Sequence, residues 1–156
     1  MARKAKTSRP VAGSLARRHF RIGWVALCAF VVLGGVLDAF HAFKLGFYLD
    51  VGTETRRLMW TLAHAHGVGI SLMHLGFGAT LASLFEEVPA PLELASSCFS
   101  WATLLMPLGF FLGGIGTLGG DPGIGVFLVP VGALVLLLGV FLAARETLRS
   151  EGAAKR

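Results

Sequence analysis

The sequence predicts an all-α integral membrane protein, a bundle of four transmembrane helices whose two termini both lie in the cytoplasm. Composition is the first reason: the 156 residues are 54% hydrophobic and only 15% charged, whereas soluble domains carry about 25% charged residues. Charge placement is the second reason. The charges are segregated, and they leave four apolar segments that each reach the ~20 residues a helix needs to cross the hydrocarbon layer.

Apolar runs and the residues that interrupt them place the four spans in order. The third span follows the breaks at Pro89 and Pro91. The fourth follows Asp121, which we expect to cap the helix, and Pro122, which suits a first helical turn because its missing N–H leaves no bond unmade there. The predicted spans are residues 22–43, 58–85, 92–118 and 122–144.

Basic residues determine the expected orientation. Positively charged flanks stay on the cytoplasmic side of a membrane. The chain therefore divides into a basic cytoplasmic tail (1–21), a four-helix transmembrane domain (22–146) and a second cytoplasmic tail (147–156), in a bacterial inner membrane. Eleven of the fourteen lysines and arginines lie on the side of the two termini: Arg3, Lys4, Lys6, Arg9, Arg17, Arg18, Arg21, Arg145, Arg149, Lys155 and Arg156.

The basic N-terminal tail also bears on the partners of the protein. A pI near 9.9 is compatible with nucleic acid, but the tail leads straight into an apolar segment, so we assign it to membrane topology and anionic lipid. That apolar run is too long for a signal-peptide core and is expected to remain as the first span. The predicted partners are the lipid bilayer and either further copies of the chain or a larger membrane complex. No nucleic acid is expected.

Enzymatic activity on a soluble substrate is not expected. The sequence has no phosphate-binding loop, no CxxC pair and no arrangement typical of a catalytic triad, and its connections are short. The two cysteines, Cys28 and Cys98, match no zinc-site spacing and are interpreted as packing residues.

Two histidines lie inside the second span, in the segment LAHAHGVG. His64 and His66 are two positions apart, and a helix turns about 100° per residue, so the two side chains point about 200° apart. They cannot hold one metal ion between them while the segment is helical. Ionisable groups inside a span are costly, which favours a functional role for them.

Partner residues for these histidines are expected on the first span. Asp38 and His41 share a helix face, and antiparallel pairing is expected to put them level with His64 and His66 in the outer half of the membrane. One histidine from each helix could bracket a haem iron or hold a metal ion, with Asp38 as a ligand or as a hydrogen-bond partner. The cofactor-binding candidates are His41, His64 and His66, and the expected cofactor is haem b, copper or another transition-metal ion.

Two further histidines complete the set. His74 lies about 12 Å deeper than His66, and for His74 alone a hydrogen-bonded interior role is the favoured interpretation. His19, among arginines, is expected on the surface. The metal-ligand candidates are Asp38, His41, His64, His66 and His74.

The AHAHG segment, with the RRLMWTL that precedes it, resembles the His-x-His segment of small four-helix bacterial membrane proteins. More distantly it is similar to subunit I of the haem–copper oxidases, where a His-x-His helix offers ligands to two haem groups on opposite sides. The resemblance covers one helix and implies a haem or metal ligand at His64 or His66. Because the third and fourth spans contain no histidine, the copper site of an oxidase cannot be completed within one copy of the chain.

The predicted function is therefore haem or metal binding near the outer face of the membrane, for electron transfer, sensing or cofactor handling. Two alternatives remain open. The glycine-rich helices also suit a non-catalytic accessory or scaffold subunit, in which the histidines form hydrogen bonds between helices. A transporter or proton path through the second span is the other alternative, although no repeated halves or discontinuous spans support it.

Overall fold

The computed structural model describes residues 11–117 and 119–154, and within them it contains helices and no strand. The all-α prediction is confirmed. Four of the helices are long and apolar enough to cross a membrane. The elements are α1 (Ala12–Ala42), the single-turn α2 (Gly46–Leu49), α3 (Glu54–Leu84), α4 (Ala90–Ile115) and α5 (Leu128–Ala154), with short 3-10 helices at Val51–Thr53 and Ile124–Phe127.

The four long helices run up and down and pack in chain order, α1 on α3, α3 on α4 and α4 on α5. We call the end where α1 begins and α5 ends the terminal end, and the opposite one the distal end. At the terminal end, the backbone N–H of Ala12 donates to the carbonyl of Glu86 at 3.1 Å. At the distal end, Arg56 donates to the carbonyls of Phe47 and Gly114. These bonds fix the connections against the helix ends.

The starts of the first and fourth long helices differ most from the prediction. Helix α1 begins at Ala12, not near residue 22, so much of the predicted basic tail is helix packed in the bundle. The expectation that Asp121 caps the fourth helix is wrong, because the residue before the first helical turn is Gly123. Asp121 lies in the α4–α5 connection, which turns at Gly119 and Gly120 with φ of 59° and 95°, a backbone conformation that favours glycine.

Three glycines let the long helices approach closely. A Cβ at Gly67 would overlap the Phe30 ring of α1, and one at Gly78 would lie 3.2 Å from the carbonyl oxygen of Ala16. Gly109 meets α5 in the same way, 3.0 Å from the Cβ of Leu128. Small residues are therefore required at these crossings, where a larger side chain would push the helices apart.

The most apolar helices of this protein are the least buried, which is the reverse of the arrangement in a water-soluble protein. Helices α1 and α5 are the most apolar of the four, yet only 11% and 17% of their most apolar windows are buried, against 39% and 50% for α3 and α4. The exposed side chains on these outer faces are large and apolar, such as Trp24 and Leu134. Soluble proteins rarely expose such continuous apolar surface.

The Gly67 crossing can be tested against a second glycine of the same helix. We expect Gly67→Ala to destabilise the protein by about 1–3 kcal/mol, because the added methyl overlaps the Phe30 ring. Gly69→Ala is the matched control, since nothing lies within 4 Å of its Cβ position. Unfolding of the purified variants by heat or by SDS measures the difference, and equal stability of the two variants would contradict the close crossing.

Candidate functional site at the distal groove and the histidine pair

His64 and His66 point to opposite sides of α3, as helix geometry predicts. The ring of His64 lies against α1, where its Nδ1 donates to the carbonyl of Phe30 at 2.7 Å and its face covers Gly34. The ring of His66 lies toward α4, with its centroid 4.7 Å from that of Phe110. The prediction that the two imidazoles point to opposite sides of the helix is therefore confirmed.

An open groove lies between α1 and α3 at the distal end, with a volume of about 1030 Å³. Three predicted site residues, Asp38, His41 and His64, are in its wall. His66 faces away from the groove and does not line it. Apolar residues and charged residues share the lining, which includes Val31, Leu37, Glu54, Arg57 and Leu58.

The expectation that His41 lies level with His64 is wrong. His64 lies over Gly34, and His41 follows Gly34 by seven positions, or about 10 Å along α1. The reason is the first connection, which folds tightly through α2 with Tyr48 buried. It starts α3 level with the end of α1, so that His64, ten residues into α3, lies well below His41.

The described residues contain no group of three or more His, Cys, Asp or Glu side chains placed to hold a metal ion. Asp38, His41 and His64 share one wall but are spread along it. Their donor atoms therefore do not fit the compact ligand shell that a single transition-metal ion requires. His64 retains one property of a ligand: its Nδ1–H is fixed on a carbonyl, while its Nε2 makes no hydrogen bond to the described residues.

A second cluster of polar side chains lies near the terminal end, fully enclosed between α1, α3 and α4. His19 and His74 are each 0% exposed, and their Nδ1 atoms are 2.7 Å apart. The Nε2 of His19 lies 2.8 Å from the hydroxyl of Ser96, and the Nε2 of His74 lies 2.8 Å from that of Thr103. The cluster thus links three helices through side chains alone.

Two sequence expectations are affected by this cluster. The expected surface position of His19 is wrong, because α1 begins early enough to carry it into the interior. His74, a metal-ligand candidate, is an interior hydrogen-bonded histidine with both ring nitrogens occupied. A signal for His19 was present in the sequence: small residues recur at helical spacing on both sides of it, and the buried stripe of α1 is Ala12, Ala16, His19 and Gly23.

The hydroxyl of Thr103 sets the direction of the whole chain of bonds. It donates to the carbonyl of Phe99 at 2.8 Å, so its oxygen must accept from the Nε2–H of His74. The Nδ1 of neutral His74 then accepts from the Nδ1–H of His19, whose Nε2 in turn accepts from Ser96. Each neutral ring therefore has one defined tautomer.

Aromatic rings enclose the pair. The ring of Phe77 meets that of His19 edge to face at a centroid distance of 4.7 Å, and Phe99 lies 6.0 Å from His74. Neither histidine bonds to a carboxylate in the described part of the chain. In the neutral state, the two rings need no counter-charge in this apolar interior.

Comparison with known proteins gives no match to this chain, whether with protein-family models, with curated proteins or with solved structures.

The buried position of His19 predicts a large stability difference between two histidines of α1. We expect His19→Ala to destabilise the protein by roughly 2–4 kcal/mol, because it leaves a cavity and removes partners from His74 and Ser96. His41→Ala should change stability by less than about 0.5 kcal/mol, because His41 is exposed. Denaturation of both variants in detergent measures the difference, and a His19→Ala protein as stable as the wild type would refute the enclosed pair.

Proposed function

We propose that the chain is a small multi-pass protein of a bacterial inner membrane. The inverted burial supports this proposal, because the two most apolar helices are also the least buried, and lipid is the solvent that such surfaces require. The described helices are also long enough for the purpose, since the shortest of the four has 26 residues and a span needs about 20.

The proposed orientation puts the terminal end in the cytoplasm. Arg17, Arg18 and Arg21 lie within the first three turns of α1, and Arg145 and Arg149 lie near the end of α5. These positive charges flank the spans at one end of the bundle, as expected of a cytoplasmic face. The groove then opens toward the outer side of the membrane.

We further propose that the groove binds haem, which the Nε2 of His64 would hold. The observation that carries the proposal is the state of the His64 ring, which lies in the wall of a groove. Its Nδ1–H is held by the Phe30 carbonyl, and its Nε2 makes no hydrogen bond to the part of the chain that the structure describes. Histidines that ligate metals commonly have their other ring nitrogen fixed in this way. The bond selects the tautomer and orients the ring.

The lining of the groove is compatible with this ligand. Its volume of about 1030 Å³ is at the upper end of the roughly 300–1,000 Å³ typical of small-molecule sites. Val31 and Leu58 offer apolar contacts for a porphyrin face, and Arg57 offers a positive charge for a propionate. Bound haem would supply a redox-active or ligand-binding iron, which suits electron transfer, sensing or cofactor handling.

His64 and His66 provide a matched pair for the test. Purified protein titrated with haemin should develop a Soret band that saturates at one haem per chain. We expect His64→Ala to lose it, because the axial nitrogen is gone, and His66→Ala to retain it, because His66 faces Phe110 on the other side of α3.

Saturation at the same stoichiometry and wavelength in His64→Ala would overturn the assignment of the ligand. Absence of any haem complex in the wild type would overturn the haem proposal and favour the accessory-subunit alternative. A pull-down from native membranes with fixed partner subunits is the corresponding measurement for that role.

A further inference from the structure

The His19–His74 pair has no part in the proposed haem site. His74 lies ten residues further along α3 than His64, about 15 Å toward the terminal end. The pair is also more elaborate than a simple polar contact, since four side chains form one directed sequence of hydrogen bonds. The number of protons that the pair can bind follows from the donor or acceptor role of each of its four ring nitrogens.

We propose that the pair is a proton-binding site of the bundle interior, which holds one excess proton shared between His19 and His74. In the neutral state the pair carries two N–H groups, at Nδ1 of His19 and at Nε2 of His74. An added proton binds to Nε2 of His19, and the hydroxyl of Ser96 rotates so that its oxygen accepts. Every N–H then still has an acceptor.

The excess charge can move between the rings without loss of a bond. Transfer of the Nδ1 proton from His19 to His74 leaves His19 neutral with its proton on Nε2, and makes His74 the imidazolium. The Nδ1 atoms are 2.7 Å apart, in the range of charge-assisted hydrogen bonds. Sharing one charge over two rings lowers its cost in an apolar interior.

The capacity of the site is one proton. After the first uptake, three of the four ring nitrogens carry hydrogen, and the fourth is the Nδ1 that accepts the shared bond. A second proton would place two N–H groups against each other across 2.7 Å, with two positive charges in contact. The like charges and the lost bond both oppose this state.

Among the described residues, no negatively charged side chain bonds to either ring. The hydrogen bonds of the pair must therefore stabilise the added proton. On α1 the charged neighbour of His19 is Arg18. Helix α3 presents Phe77 and helix α4 presents Phe99 and two hydroxyls. Glu93, one turn before Ser96 on α4, is exposed and bonds to neither ring.

The test counts protons on the intact chain. Full-length protein with ¹⁵N-labelled histidine, in lipid nanodiscs, is titrated between about pH 4 and 9 while the ring nitrogen shifts are recorded by NMR. We expect His19 and His74 to titrate together, with one midpoint and a total uptake of one proton.

Two neighbouring serines provide the matched variants. Ser96→Ala should lower the midpoint of the pair by about one pH unit, because a hydrogen bond to a charged ring is stronger than one to a neutral ring. Ser97→Ala should leave the midpoint unchanged, since that exposed hydroxyl bonds to the Glu93 carbonyl. Two separate midpoints with a total of two protons would overturn the shared site, and so would a pair that stays neutral down to about pH 4. Neither result depends on whether haem binds in the groove.

Discussion

A polar side chain in an apolar interior needs a partner from the protein itself, and this requirement shapes the bundle. Every buried side-chain polar atom among the described residues has a hydrogen-bond partner. The most demanding case is the pair of His19 and His74, whose four nitrogens are satisfied only when α1, α3 and α4 are in register. A shift of α1 by one turn would separate His19 from both His74 and Ser96, and would leave the Nδ1 of His74 without its donor. The pair therefore specifies how α1 lies on the other two helices.

Close helix approach is the condition that lets those bonds form. The glycine positions of α3 allow α1 to lie directly against it, and Gly78 meets Ala16 just beside His19. A glycine also lets α5 lie against α4, because a Cβ at Gly139 would lie only 3.0 Å from the Cβ of Cys98. Packing of this kind needs no hydrophobic drive between helices, which agrees with apolar side chains remaining on the outer faces of α1 and α5.

The two ends of the bundle differ in the state of their histidines. At the terminal end both nitrogens of each ring are used and the rings are enclosed. At the distal end His64 uses one nitrogen in a bond to a carbonyl, and its ring lies in the wall of an open groove. A proton suits the first environment because it needs no space, whereas a molecule of haem's size suits the second. The proposed roles follow from this difference in access, not from the residue type, which is the same.

The sequence by itself determined the four apolar helices and the divergence of His64 from His66, because composition and the 100° helical turn depend on local chemistry alone. Tertiary structure decided which residues share a depth. The folded first connection set His64 about 10 Å below His41, and the early start of α1 carried His19 into the interior. The partners of His19 lie 55 and 77 positions away in the chain. Contacts over such separations follow from helix registers that no local pattern encodes.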